Sequence, residues 1–160
     1  MMKKALLLLL VALTGTLTLS AQKETDFTSR FLEQDHVEEA VFCQTVGPAM
    51  IAQLVTAYSG SLSPEVAAQL KNIKSMRVVT AKGTLAPDEL LRIALNLLQQ
   101  DKGRYTELAE KSHYQLYARK KKDTIVELIL IDTQHAQFNM VNVTGTLDAD
   151  ALQQLISKTQ

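Results

Sequence analysis

The chain contains one seven-residue run, Ile125-Val126-Glu127-Leu128-Ile129-Leu130-Ile131, in which every residue except Glu127 is apolar. Such a run is typical of a strand in the middle of a sheet, where both faces are covered. Residues 113–119 before it alternate between apolar and polar side chains, and residues 138–144 after it form a further strand-like segment. Because short turns at 120–123 and 133–135 connect the three segments, we expect an antiparallel meander.

The residues before this meander predict helices that alternate with strands. Two strands are expected at residues 38–46 and 73–81, each around consecutive apolar side chains. Apolar residues at helical spacing and local start signals predict helices at residues 24–35, 47–58, 63–70 and 86–103. The last of these has the broadest apolar face, which includes Leu97 and must pack on something large.

Two weaker segments complete the pattern. Residues 104–111 are expected to form a short helical turn. Asp148 is expected to cap a last helix, in which Leu152, Leu155 and Ile156 lie on one side. The predicted order is α-β-α-α-β-α-β-β-β-α, which indicates an α+β fold. We expect residues 22–160 to form a single two-layer domain with helices mainly on one face of the sheet.

The predicted sheet is mixed but mostly antiparallel, with about five strands. The last three strands must be antiparallel, whereas the first two are separated by about 30 residues that contain helices. That connection is long enough for a right-handed crossover between parallel strands.

Residues 1–21 have the pattern of a secretory signal peptide. Lys3 and Lys4 precede an apolar run, Ala5–Leu13, and small residues end at Ala21. The run is too short to span a bilayer comfortably, although an uncleaved N-terminal anchor is the alternative. We expect cleavage before Gln22 and an exported protein, periplasmic or secreted, that is soluble and has no transmembrane segment in its mature form. Because the first mature residue would not be cysteine, lipid attachment is not expected.

Composition limits the partners of the mature chain. The whole chain has 17 basic and 17 acidic residues, and removal of Lys3 and Lys4 leaves a net charge of −2. This balance gives no basis for a nucleic-acid partner. A single cysteine, Cys43, excludes an intramolecular disulfide. Because it belongs to the apolar run Val41-Phe42-Cys43 of a predicted strand, we expect it to be a buried apolar side chain.

No group of residues predicts a catalytic, cofactor or metal site. His36 lies near Asp35 and Glu39, but a metal site normally needs several ligands at defined spacing, so a solvated turn is expected. His113 and His135 flank the meander and could meet at one end of the sheet, although two unrelated surface histidines explain them as well.

Other polar motifs are equally unspecific. Ser59-Gly60-Ser61 lacks the strand–serine–helix context of a nucleophile, and Lys82-Gly83-Thr84 has too few glycines to bind a phosphate. Arg119-Lys120-Lys121-Lys122 is predicted to be a basic hairpin turn, which could bind an acidic partner but more often protects a sheet edge. Asn142-Val143-Thr144 matches the N-glycosylation pattern, which is discounted inside a predicted strand.

The order of elements, with Met76-Arg77-Val78-Val79 in the second strand and the ending Phe138–Asp148 followed by a Leu-rich helix, resembles the bacterial domain-of-unknown-function family 4252. The resemblance covers about residues 24–157. It implies a small exported protein of the Gram-negative envelope, some relatives being lipid-anchored. The family has no established activity, so the resemblance assigns no catalytic residue.

Three functional classes stay open at this point. The favoured one is a non-enzymatic module that binds another envelope protein or a cell-surface component, its oligomeric state unknown. An enzyme would instead show convergent acids or histidines in a cleft. A carrier of a small apolar ligand would show an apolar pocket of several hundred Å3. A binding module is expected to show an exposed apolar patch or an open sheet edge.

Overall fold

A computed structural model of the protein describes residues 25–101 and 103–150. The predicted signal peptide and the predicted last helix with Leu152, Leu155 and Ile156 lie outside the described residues. The helices are α1 (Phe27–Leu32), α2 (Val37–Ala40), α3 (Pro48–Ala57), α4 (Pro64–Lys71) and α5 (Pro87–Gln100). The strands are β1 (Val41–Val46), β2 (Ile73–Ala81), β3 (Thr106–Glu110), β4 (Tyr114–Lys121), β5 (Thr124–Asp132) and β6 (Asn139–Asp148).

The strands form one six-stranded sheet in the order β1-β2-β6-β5-β4-β3, so the predicted α+β class is confirmed. The sheet is antiparallel at every pairing, rather than mixed, and has six strands rather than about five. The connection from β1 to β2 contains α3 and α4 but returns the chain beside β1 in the opposite direction. The sixth strand is β3, where we expected a helical turn over residues 104–111. Its partner β4 supplies the pairing that a local pattern cannot show.

The predicted meander is confirmed as β4, β5 and β6. The central strand β5 pairs with β4 on one side and with β6 on the other. Its side chains are buried at every second position, including Ile125, Glu127, Ile129 and Ile131. The run of apolar residues therefore lies in the middle of the sheet, as the sequence predicts.

Two apolar clusters lie on opposite faces of this sheet. The larger one joins α1, α2 and α5 to strand residues such as Val79 and Ile129. The smaller one joins α3 and α4 to strand residues of the opposite alternation, including Met76 and Leu128. Helices therefore lie on both faces, which differs from the expected two-layer arrangement. Leu97 of α5 is buried in the larger cluster, as predicted.

Gly145 in β6 permits a close approach to the start of β2. A Cβ atom at this position would clash with the carbonyl oxygen of Asn72. The same oxygen accepts a hydrogen bond from the backbone N–H of Thr146, 3.1 Å away. Only glycine leaves room for this contact, since it has no Cβ.

Candidate functional site

Among the strands of residues 25–101 and 103–150, β1 forms one edge of the sheet and is paired only with β2. The backbone N–H of Lys82 donates to the carbonyl oxygen of Ala40 over 2.8 Å, which fixes the phase of this ladder. Because Val41 lies opposite Ala81, the even-numbered residues of β1 bond to β2. The N–H and C=O groups of Val41, Cys43 and Thr45 therefore point toward the open edge.

Nothing in the sequence of β1 protects this edge. Its six residues, VFCQTV, include no charge and no proline, and its register with β2 is unbroken. The other edge strand, β3, carries Glu107 and Glu110 and has a register shift between Glu107 and Ala109. Charges and bulges are the common means by which proteins prevent strand addition at an edge. One edge is thus protected, whereas the other is not.

Cys43 is exposed, so its predicted burial is wrong. The prediction assumed that a strand with an apolar run lies inside the sheet, but β1 is at the edge and, of its six residues, Val41 alone is buried. The sequence does not reveal which strand is terminal, because that depends on long-range pairing.

Large apolar side chains are exposed on β1 and on α3, the helix that follows it in the chain. Phe42 is 63% exposed, although its ring lies 5.0 Å from the Lys82 ammonium group. Met50, Leu54 and Tyr58, spaced four residues apart along α3 and its C-terminal end, are each about half exposed. Ile51 and Val55, one position further along, are buried in the smaller cluster.

Phe42 and α3 lie on the same face of the sheet. Val46 pairs with Met76, and both belong to the smaller cluster, to which α3 also contributes. Phe42 precedes Val46 by four residues in an unbroken strand, so its side chain points to the same face. We call the open backbone edge of β1 together with Phe42, Met50, Leu54 and Tyr58 the edge surface.

A group of hydrogen-bonded polar side chains around Glu127 is buried. Glu127 of β5 has no exposed surface. Its Oε2 accepts hydrogen bonds from Arg119 Nε, 2.9 Å away, and from the Tyr105 hydroxyl, 3.0 Å away. Its Oε1 accepts from Asn142 Nδ2 over 3.0 Å. Four donors, the fourth being a backbone N–H of α1, thus surround the carboxylate, as a buried charge requires.

The same carboxylate binds the beginning of α1. The backbone N–H of Phe27 donates to Glu127 Oε1 over 2.6 Å, and that of Thr28 donates to Asn142 Oδ1 over 3.1 Å. The next N–H, of Ser29, donates to the N-cap residue Asp26 over 2.7 Å. The first three helical N–H groups would otherwise have no partner. We call Glu127, Arg119, Asn142, Tyr105 and Thr28 the polar centre; its geometry is that of a structural anchor for α1.

Burial raises the pKa of the Tyr105 hydroxyl, and the negative charge and hydrogen bond of Glu127 raise it further. A neutral hydroxyl that donates to a carboxylate is the favoured state of this pair. Burial also raises the pKa of Tyr117, with smaller contributions from Glu107 and Glu110. With a raised pKa, neither tyrosine is a base near neutral pH.

The predicted basic turn is wrong for Arg119, because this residue is buried in β4 and bound to Glu127. Lys120 and Lys121 are exposed but belong to the end of β4, so only Lys122 of the predicted basic residues lies in the turn. A cleft of about 340 Å3 lies beside them, with Asp123, Asp148 and Asp150 also in its lining. The carboxylates offset the positive charge, which weakens the case for an acidic ligand there.

A second cleft, of about 450 Å3, lies where the β3–β4 turn meets the end of β5. Its lining includes Lys111, His113 and Thr133, with Leu91 and Ile131 as its apolar residues. The cleft is thus lined mainly by polar side chains, which does not favour the apolar carrier.

The histidines do not meet in a metal site. His36 and His135 are exposed, and His113 is half-buried next to Tyr114. Within residues 25–101 and 103–150, no three His, Cys, Asp or Glu side chains are grouped so that they could hold a metal ion. Ser59-Gly60-Ser61 is an exposed turn, and Asn142 is buried, which agrees with discounting the glycosylation pattern. No helix of the described part is long and apolar enough to cross a membrane.

The polar centre was not among the features predicted from the sequence, although the chain contains a signal for it. Glu127 has the same alternation as the inward-facing Ile129 and Ile131, so a buried partner was required. Arg119 in the preceding strand and Asn142 in the following one are the polar residues that pair with it. The edge surface has no comparable local signal.

These features define an α+β domain with a buried structural polar centre and an exposed apolar edge. Comparison with known families then gives the family itself. Residues 37–155 match the model of the Domain of unknown function (DUF4252), and the chain belongs to this family. The match begins at α2 and therefore does not include α1. No curated protein and no solved structure matches the chain.

Proposed function

We propose that the protein is an exported, non-catalytic interaction module of the bacterial envelope, which binds a protein partner through the edge surface. One observation carries the proposal: β1 is an uncharged, regular edge strand, and large apolar side chains are exposed on it and on the helix that follows it. An edge of this kind is able to accept a strand from another chain, with backbone hydrogen bonds for affinity and side-chain contacts for specificity.

The alternatives have less support among the described residues. The two clefts are lined mainly by polar side chains, whereas a carrier of an apolar ligand needs an apolar cavity. The buried carboxylate of Glu127 is bound by four donors and has no exposed surface for a substrate. An exposed apolar surface is the feature that favours binding to a protein.

Site-specific photo-cross-linking in intact cells tests the binding role. A photoreactive amino acid at Leu54 or Phe42 is expected to give the same protein adduct, identified by mass spectrometry. The matched control is Asn96, an exposed position on α5. Adducts at Asn96 as abundant as those at Leu54, or none at either edge position, would contradict the proposal.

Export is tested separately, by N-terminal sequencing of the protein isolated from the periplasm or the medium. The pattern of residues 1–21 predicts a mature chain that begins at Gln22. A chain that still begins at Met1 would contradict the export part of the proposal and leave the binding part to the cross-linking experiment.

A further inference from the structure

We infer that the partner of the edge surface is a second copy of this chain. The β1 strands of the two copies would pair antiparallel across a two-fold axis. This inference rests on the proposed function and names its partner. The two sheets would then join at their β1 edges into one continuous sheet of twelve strands, and β3 would lie at both outer ends.

The hydrogen-bond phase of β1 suits self-pairing. The outward backbone groups belong to Val41, Cys43 and Thr45, so a second β1 must place odd-numbered residues opposite odd-numbered ones. Two registers meet this condition with the longest overlap. One places Cys43 opposite itself, and the other places Cys43 opposite Thr45 and Phe42 opposite Val46. Both bring the two Cys43 side chains to the centre of the interface.

The charges near β1 are compatible with a two-fold axis. Glu39 and Lys82 both lie near the start of β1, the first just before it in the chain and the second beside Phe42. Antiparallel pairing places this end opposite the end of the partner's β1, where Val46, Gly47 and Pro48 carry no charge. Like charges therefore do not face each other, and no residue within β1 opposes the pairing.

The area is adequate for a dimer in solution. Aromatic side chains bury roughly 150–250 Å2 each when fully covered, so four large side chains that are about half exposed, two of them aromatic, offer at most roughly 400 Å2 per protomer. Two protomers with their strand backbones then approach the lower end, about 1,200 Å2, of stable interfaces. A two-fold axis is also the commonest symmetry of soluble oligomers, because the same patch serves on both copies. A foreign partner would have to supply both a strand and an apolar patch, whereas this chain has both.

The single cysteine makes the test direct. The full chain is purified from cells in its processed form. It is then treated, without reducing agent, with a short bis-maleimide, which links two nearby thiols. We expect a covalent dimer through Cys43 and a dimer in sedimentation velocity at micromolar concentration. The matched control is the double variant Cys43→Ser/Thr106→Cys, which moves the thiol to the exposed start of β3 and is expected to give no covalent dimer.

Thr45→Pro separates association from folding. The Thr45 N–H points away from β2, so proline there removes no hydrogen bond of the β1–β2 ladder but blocks strand addition. We expect circular dichroism to be unchanged and the dimer dissociation constant to rise at least tenfold. Leu54→Lys, on α3, is a second variant with the same expected effect if proline prevents folding.

A chain that sediments as a monomer and gives no Cys43 cross-link overturns the inference. If Leu54 and Phe42 still capture a different protein in cells, the proposed function stands and only the identity of the partner is wrong. If they capture neither this chain nor another protein, both proposals fail. A dimer that persists unchanged in Thr45→Pro and in Leu54→Lys also overturns the inference, because it must use another surface.

Discussion

Glu127 is a carboxylate with no exposed surface, whereas Phe42 is an aromatic side chain that is 63% exposed. Charged side chains usually lie at the surface and large apolar ones in the interior, so both residues lie opposite to the usual location. The difference lies in their partners: the oxygens of Glu127 have four donors within the chain, and the edge surface leaves backbone groups and apolar side chains without a covering element among the described residues. A buried polar group with hydrogen-bond partners stabilises the fold. An exposed apolar side chain is available to contact another molecule.

The two regions should therefore respond oppositely to substitution. Changes in the polar centre are expected to lower the free energy of unfolding strongly and to leave the interface intact. Changes in the edge surface are expected to weaken association and to leave the free energy of unfolding of the monomer almost unchanged. Single substitutions in the two regions, and one in the larger apolar cluster for comparison, test this contrast, from the largest expected effect on stability to the smallest.

Arg119→Ala is expected to have the largest effect, a loss of about 3–5 kcal/mol in the free energy of unfolding, because it leaves the Glu127 charge buried without its cation. Denaturant titration at neutral pH measures this loss. The double variant Arg119→Met/Glu127→Gln removes both charges and keeps an oxygen acceptor for the Phe27 N–H. It is expected to recover part of the loss. A loss below about 1 kcal/mol in the single variant would mean that the polar centre is not an anchor.

Leu97→Ala is expected to cost about 2–4 kcal/mol, because truncation leaves a cavity in the larger apolar cluster. It compares ordinary apolar packing with the polar centre on the same face of the sheet. The same denaturant titration applies, with the exposed Asn96→Ala on the same helix as a control. A cost near that of the control would place Leu97 outside the core.

Tyr105→Phe is expected to cost about 1–2 kcal/mol at neutral pH, because Glu127 loses one donor. It should also change the pH dependence of stability. The folded state holds the Tyr105 proton at higher pH than the unfolded chain, whose pKa is near the usual 10.0. This contribution is complete below that value and is lost as pH rises through the higher folded pKa.

The phenylalanine variant should therefore lose stability less steeply than the native chain above about pH 10. Tyr117, whose pKa is also raised, contributes the same kind of slope to both proteins, so the difference isolates Tyr105. Urea titrations at several alkaline pH values give the two slopes. Parallel slopes would show that folding does not raise the pKa of the Tyr105 hydroxyl.

The same contrast explains which parts of the structure the sequence predicted. The meander followed from the residues themselves, because alternation and short turns are local properties. The start of α4 is also a local property, because Ser63 is its N-cap and accepts a hydrogen bond from the Val66 N–H, 3.3 Å away. By comparison, β3 was missed because its strand form depends on pairing with β4, which is a tertiary effect.

The exposed state of Cys43 was not predictable for a related reason. A strand of apolar residues has the same sequence pattern in the centre and at the edge of a sheet, and only the strand order distinguishes them. The direction of β2 relative to β1 is also a long-range property, so a parallel crossover was equally consistent with the connection length. The edge surface therefore could not be derived locally, whereas the polar centre could have been inferred from the alternation of Glu127.

Leu54→Ser should have the smallest effect on stability, a change within about 0.5 kcal/mol in the free energy of unfolding of the monomer, because the side chain is already about half exposed. Any dimer would add concentration-dependent stability, so the measurement belongs at protein concentrations below the dissociation constant. Val55→Ser, its buried neighbour on α3, is the matched control and is expected to be clearly destabilising. If Leu54→Ser costs as much as Val55→Ser, the α3 stripe is part of the core, and the contrast between the polar centre and the edge surface no longer holds. If it costs nothing while the dissociation constant of the dimer rises, the stripe serves association alone.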